Sequence, residues 1–289
     1  QCDDLFISEY VEGWSNNKAL EIYNPTSNAI DLSGYSLSRF SNGGVSASTT
    51  QLEGIIEPYS TFVVGLDKRD PKGEPPFESP MWNGYYTYTD DDTGEEVTIF
   101  NPDNDLQGRV DLFVNPIYYT GSNSAEAQAN PSTLYFNGND ALTLEPLGGN
   151  PVDIFAKIGE DPGDQTGWLA AGTDNWWTKD HTLIRKSSVE GGILSNPTVF
   201  DPSLEWDSLP ANTFVNLGMH DCICNPNNKL IEAKNSFVIF PNPITQSQFT
   251  IRNNHAITHL IIYDHLGKIV LNKEIDNMTE LPVNLSNNK

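Results

Sequence analysis

Apolar and polar positions alternate in short bursts along much of this chain. LFISEYV (residues 5–11) and ALEIY (19–23) are separated by a Gly/Ser/Asn turn, and their alternation is that of half-buried β-strands. Similar bursts follow at 30–40, 51–56, 61–65, 133–136, 141–145, 152–158, 181–186 and 213–217. Many short strands punctuated by Pro, Gly and Asn predict an all-β fold of the immunoglobulin-like β-sandwich type. No segment holds a long 3.6-residue apolar period, and the single helical expectation is a short piece at 167–171.

The regular spacing breaks down between residues 66 and 130, which hold KRDPKGEPP, then MWNGYYTY, then DDDTGEEVTIFNPDNDLQGRVD. An insertion of that length inside a compact domain is expected to carry function. NPNNKLIEAKN (225–235) has the polar composition of a linker. Beyond it, bursts at 237–240, 249–251, 259–264 and 269–275 predict a second, small β-sandwich. The expected organisation is a first domain over 1–224, a linker over 225–235 and a second domain over 236–289.

Charge supports that division. The net charge is −23, from 16 basic and 39 acidic residues. From Ser236 onward, Arg252, Lys268, Lys273 and Lys289 balance Asp264, Glu274, Asp276 and Glu280, so the excess lies entirely upstream. An acidic body repels phosphate backbones and anionic lipid, which argues against nucleic acid as a partner. No apolar run is long enough for a transmembrane segment, and QCDDLF lacks the features of a signal peptide, so Gln1 is taken as a mature start. Cys2, Cys222 and Cys224 flank the acidic segment. One disulfide from Cys2 to either Cys222 or Cys224 would staple its ends together; the alternative is three free thiols. The C-x-C spacing does not suit zinc.

Two resemblances follow from quoted motifs. LFISEYVEGWSNNKALEIYNPTSNAIDLSGYSLSRF resembles the opening of the bacterial lamin-tail domain. LYFNGNDALTLEP, VDIFAKIGEDPG, DHTLIRKSSV and FDPSLEWDSLPANTFVNLGMH are similar to later strands of that family, in the same order. The resemblance implies an immunoglobulin-like sandwich on a secreted or envelope protein, and little chemistry. The second unit resembles the C-terminal sorting domain of type IX secretion substrates in Bacteroidetes-like bacteria, through FPNPI (Phe240, Pro241, Asn242, Pro243) and IIYDHLGKIV with Asp264, Gly267 and Lys268. It implies export through the periplasm to the outer-membrane surface, with the secretion translocon and its shuttle proteins as partners of 236–289. The family's last motif, a Gly-x-Tyr strand and a basic final strand, would be expected just after Leu285, whereas the sequence stops at Asn287-Asn288-Lys289.

Candidate chemistry is sparse. His181 and His220 are the histidines of the acidic segment, and neither lies in a metalloprotease, nucleophile-elbow or phosphate-loop motif, so no catalytic residue is assigned. No cofactor is required. Calcium is the candidate ion: Asn101, Asp103, Asp105 and Asp111 place hard oxygen donors in one loop, although Leu106 stands where an EF-hand needs glycine. Asp90, Asp91, Asp92, Glu95 and Glu96 form a second acidic run. Trp82, Tyr85, Tyr86 and Tyr88 would either present an aromatic platform to a glycan or envelope protein or pack the insertion onto the sandwich. Glu9 and Glu21 are expected to meet Lys18 across the sheet as an exposed structural pair. Ser208, in Asp207-Ser208-Leu209, resembles an O-glycosylation acceptor of secreted Bacteroidetes proteins. The expectation is a secreted, cell-surface, non-enzymatic binding or tethering protein. The alternatives are a structural accessory of an outer-membrane or secretion complex and a hydrolase with its carboxylates in the insertion.

Overall fold

The computed structural model describes residues 2–69, 82–117, 131–163, 167–226, 238–240, 248–263 and 268–285. The chain divides into two compact units, Gln1–Asn228 and Lys229–Lys289. In the first, the expected strands form as β1 (Phe6–Glu12), β2 (Lys18–Tyr23), β3 (Ile30–Asp31), β4 (Tyr35–Phe40), β5 (Ala47–Gln51), β6 (Ile55–Ile56) and β7 (Thr61–Leu66). Then come β8 (Tyr85–Thr89), β9 (Glu96–Phe100), β10 (Leu112–Val114), β11 (Ala141–Pro146), β12 (Asp153–Phe155), β13 (His181–Arg185) and β14 (Trp206–Pro210).

A six-stranded sheet in the order β10-β7-β2-β1-β13-β14 and a four-stranded sheet in the order β12-β11-β4-β5 supply the two layers. Alternation, with a register shift between Ile7 and Glu9 in β1, sends Ile7, Tyr10, Leu20 and Ile22 from the first sheet, with Leu5 just before it, against Leu37, Leu142, Leu144 and Phe155 from the second. Tyr10 stacks between Phe136 and Phe155, with ring centroids 4.8 and 4.4 Å away. Trp168 and Trp206 are buried, whereas Trp176 is 41% exposed.

Three expectations change. Residues 133–136 and 213–217 are turns rather than strands, yet Leu134, Phe136, Phe214 and Leu217 are buried. Their apolar spacing records which side chains plug the core, while side chains satisfy the backbone: Leu134 N–H donates to Asn115 Oδ1 at 2.9 Å. The piece at 167–171 is not helical; Leu169 forms an isolated antiparallel bridge with Trp176. The insertion is also more than a loop. It contains the β8–β9 hairpin, and its last strand, β10, pairs in parallel with β7 through Leu112–Val64, Phe113–Gly65 and Val114–Leu66. Three residues after a charged run carry too little pattern to reveal a strand.

The second unit contains β15 (Val238–Phe240), β16 (Gln248–Tyr263) and β17 (Ile269–Asn284) in one antiparallel sheet. Phe249, Ile275, Leu281 and Val283 form its core. A second sheet, which a sandwich requires, is not found among the described residues.

Candidate functional site

The outer face of the six-stranded sheet, the one turned away from the sandwich core, is itself covered. Val11, Ala19 and Val63 on the sheet pack against Trp82 and Leu106 from the insertion and against Phe214 and Leu217 from the later turn. Trp82 is 1% exposed and meets Phe113 edge to face at 6.2 Å, with Lys68 Nζ 5.1 Å from its ring centroid. Of the aromatic group singled out in the sequence, Trp82 is therefore a packing anchor.

The tyrosines behave differently. Immediately after Trp82 the chain leaves the body as the β8–β9 hairpin. Gly84 sits at its base with φ +73°, where an added Cβ would lie 2.5 Å from the Phe100 ring and 2.8 Å from the Asn101 carbonyl oxygen. No other residue fits that turn without displacing backbone. Asn101 N–H donates to Gly84 O at 2.8 Å and closes the base. At the tip, Asp90 Oδ1 accepts from Asp92 N–H, Thr93 N–H and Thr93 Oγ1–H, and the Thr93 amide heads the bonds that hold its carboxyl below the usual carboxylate range. Part of the acidic run thus shapes the turn.

Cross-strand register sorts the hairpin side chains. Tyr86 lies opposite Ile99 and Tyr88 opposite Val97, which places these four on one face; Tyr85 and Phe100 share the other. Tyr86 and Tyr88 stack at 6.0 Å with planes 17° apart. Tyr85, Tyr86, Ile99 and Phe100 are each about half exposed, at 58, 52, 48 and 51%. Aromatic side chains thus stand exposed on both faces of a two-stranded ribbon that follows directly on a buried anchor.

Three of the four candidate calcium residues bind separate backbone amides. Asn101 Oδ1 accepts from Asp103 N–H at 3.0 Å, Asp105 Oδ1 from Gly108 N–H at 2.8 Å and Asp111 Oδ2 from Val63 N–H at 2.8 Å. The first caps a short 3-10 turn at Pro102–Asn104, and the last joins the insertion to β7. Among the described residues, no group of three or more His, Cys, Asp and Glu side chains is placed to hold a metal ion.

Beneath this cover lie charged groups that the sequence suggested would be exposed. Glu9 and Glu21 are paired across β1 and β2 and are 1% and 0% exposed. Lys18 does not reach them. Its ammonium bonds Glu12 and the Gly13 carbonyl oxygen, all buried. Glu21 is held by Ser8 Oγ–H at 2.6 Å and Gly218 N–H at 2.7 Å, whereas neither Glu9 oxygen has a hydrogen-bond partner among the described residues. Burial, then the charge of Glu21, pushes the Glu9 carboxyl up to about 9. Burial lifts Glu21 to about 7 against the pull of those hydrogen bonds. Alternation along β1 and β2 marks these positions as facing away from the core, and the insertion and the later turn together convert that face from wet to dry.

At the end of the first unit, Cys2 and Cys224 form the disulfide, with Cα atoms 5.6 Å apart, and Cys222 is a buried free thiol. Ser208 lies half-buried on β14, an edge strand. Of the sorting motif, Phe240 ends β15 and Lys268 precedes β17, while Pro241, Asn242, Pro243, Asp264 and Gly267 fall outside the described residues.

Residues 1–114 match the Lamin Tail Domain family model. That match ends at Val114, the last residue of β10. Residues 238–289 match the model of the Secretion system C-terminal sorting domain, so a lamin-tail segment precedes a sorting segment in this chain. The sorting segment marks the protein for type IX secretion and cell-surface association, and implies interaction with that machinery. No helix among the described residues is long and apolar enough to cross a membrane. No curated protein and no solved structure matches the chain.

Proposed function

We propose that the protein is a non-enzymatic binding or tethering protein of the cell surface, delivered by its sorting segment through the type IX translocon and its shuttle proteins, and that the β8–β9 hairpin is its contact surface. The supporting observation is the contrast within one short stretch: Trp82 is 1% exposed, and Tyr85 and Tyr86, three and four residues later, are more than half exposed. The partner is an envelope protein or a glycan, since tyrosine faces serve both as low-entropy contact area.

Deleting the whole insertion would remove β10 and Trp82 and unfold the sandwich, so the test belongs on the hairpin alone. Tyr86→Ser/Tyr88→Ser in the full chain should leave the melting temperature unchanged and reduce retention on the producing cell's surface at least several-fold. Unchanged retention would remove the proposal. Turnover of a polysaccharide or phosphoester that is lost in Asp103→Asn or Asp105→Asn would replace it with hydrolysis.

A further inference from the structure

The edge of the β8–β9 hairpin distinguishes between classes of partner. The hairpin is a two-stranded sheet, so among the described residues β8 has a strand on one side and none on the other. Such an edge is a row of backbone donors and acceptors that an extended segment can complete. Proteins commonly blunt their edges with lysine, proline or a bulge. β8 has none of these. It reads Tyr-Tyr-Thr-Tyr-Thr over Tyr85–Thr89 with every residue exposed, and it pairs with β9 in unbroken register from Tyr85–Phe100 to Thr89–Glu96. Its aromatic and β-branched residues favour a further strand beside it.

The side chains fit that addition. A strand laid along β8 sends its own side chains alternately to the two faces of the ribbon. Aromatic rings stand on both: Tyr86 and Tyr88 on one face, and Tyr85 with Phe100, ring centroids 4.9 Å apart, on the other. A flat partner such as a sugar ring would cover one face and leave the other in water.

Charge selects the composition of the added strand. Between Trp82 and Gly108 the sequence has no lysine or arginine. Asp90 is engaged in the turn, whereas Asp91, Asp92, Glu95 and Glu96 are exposed, and their carboxylates have no hydrogen bond or ion pair among the described residues. Arg69 is bound to Asp67, and Arg109 donates to the Pro102 carbonyl oxygen. Four like charges beside an open edge repel an acidic strand and an anionic polysaccharide alike. A second copy of the chain adding its own β8 would bring the same four carboxylates. Basic side chains answer them, and arginine also stacks on tyrosine faces.

With the hairpin read as the contact surface, on which this depends, we propose that the outer edge of β8 takes up a basic, extended segment of a partner protein as a third strand. Backbone hydrogen bonds along Tyr85–Thr89 hold it, its alternate side chains lie over the two aromatic faces, and its positive charges meet the carboxylates at the tip.

The experiment uses the full chain and three short synthetic peptides: one alternating Arg with Val and Thr, one with Glu in place of each Arg, and one with Pro in place of each Val. The Arg peptide should bind saturably and slow hydrogen exchange at amides within 85–89, with affinity falling about tenfold or more as sodium chloride rises from about 0.05 to about 0.5 M. The Glu peptide should not bind. The Pro peptide keeps the charge but lacks backbone donors, and should bind at least several-fold more weakly. Asp91→Asn/Asp92→Asn leaves the Asp92 amide on Asp90, and should keep the melting temperature while weakening the Arg peptide and its salt dependence. Equal binding of the Arg and Pro peptides would overturn the proposal, as would protection confined to a strand other than β8 or no binding of the Arg peptide. Should it fall while Tyr86→Ser/Tyr88→Ser still lowers surface retention, the hairpin stays a contact surface for another kind of partner; should retention also be unchanged, both readings fall. Saturable binding of a neutral oligosaccharide at 85–100 in place of the peptide would overturn the added strand in favour of a glycan.

Discussion

Arg185 and Asp153 form an ion pair that joins β13 of the six-stranded sheet to β12 of the four-stranded sheet, and each side chain is 1% exposed. Asp153 also accepts from Ile7 N–H and Ile193 N–H, both at 2.8 Å, and Arg185 donates to Ile7 O at 3.1 Å. The guanidinium lies between the Phe6 and Trp206 rings. Two buried charges are tolerated here because nearly every lone pair and proton around them is used.

Removing one partner should therefore cost more than removing a surface pair. Asp153→Ala leaves a buried guanidinium short of one carboxylate and two amides without acceptors. We expect a loss of about 3–5 kcal/mol in urea unfolding. A loss below about 1 kcal/mol would mean that the pair is not what holds the layers together.

The raised carboxyls set a pH dependence. Glu9 has an ordinary value of 4.5 and a folded value of about 9, so between those limits the folded protein keeps a proton that the unfolded chain releases. Stability from this group is fully present below about pH 4.5 and is lost as pH rises toward 9. The slope is about 1.4 kcal/mol per pH unit for one group. Glu21, raised to about 7, adds to the loss at the lower end of that window. Glu9→Gln should raise the melting temperature at pH 8 and flatten the decline; an unchanged pH profile would count against a buried, protonated Glu9.

Trp82 and the tyrosines should separate in stability measurements. Trp82→Ala empties a site in the packed layer over β1, β2 and β7, with an expected cost of about 3–5 kcal/mol. Tyr86→Ser changes a half-exposed side chain, and its effect should stay within about 0.5 kcal/mol. Equal costs for the two would show that the hairpin packs on something.

The Cys2–Cys224 bridge spans 222 residues of sequence and closes nearly the whole first unit. Cys2→Ser/Cys224→Ser should lower stability by about 2–5 kcal/mol, chiefly through the added freedom of the unfolded chain. Mass spectrometry of the non-reduced wild type checks the pairing, since burial raises the Cys222 thiol and leaves it slow to exchange.

Much of this architecture is visible in local pattern, for a physical reason. A strand with one dry face must alternate, so LFISEYV and ALEIY announce β1 and β2, and the cysteines at the two ends announce a staple. The acidic body and the neutral C-terminal segment likewise separate in composition. These properties belong to residues close together in the chain, and periodicity or counting suffices to find them.

Other features depend on what covers what. Alternation shows that Glu9 and Glu21 face away from the core, but whether that side meets water depends on Trp82, Leu106 and Phe214, which arrive from distant parts of the sequence. The same holds for MWNGYYTY, whose tryptophan is sealed against the six-stranded sheet while its tyrosines stand in solvent. Arg185 meets Asp153, and His220 meets Phe6, only after the two sheets and the final turn have closed. Burial and pairing are sums over long-range contacts, and a linear pattern of polar and apolar residues does not carry them.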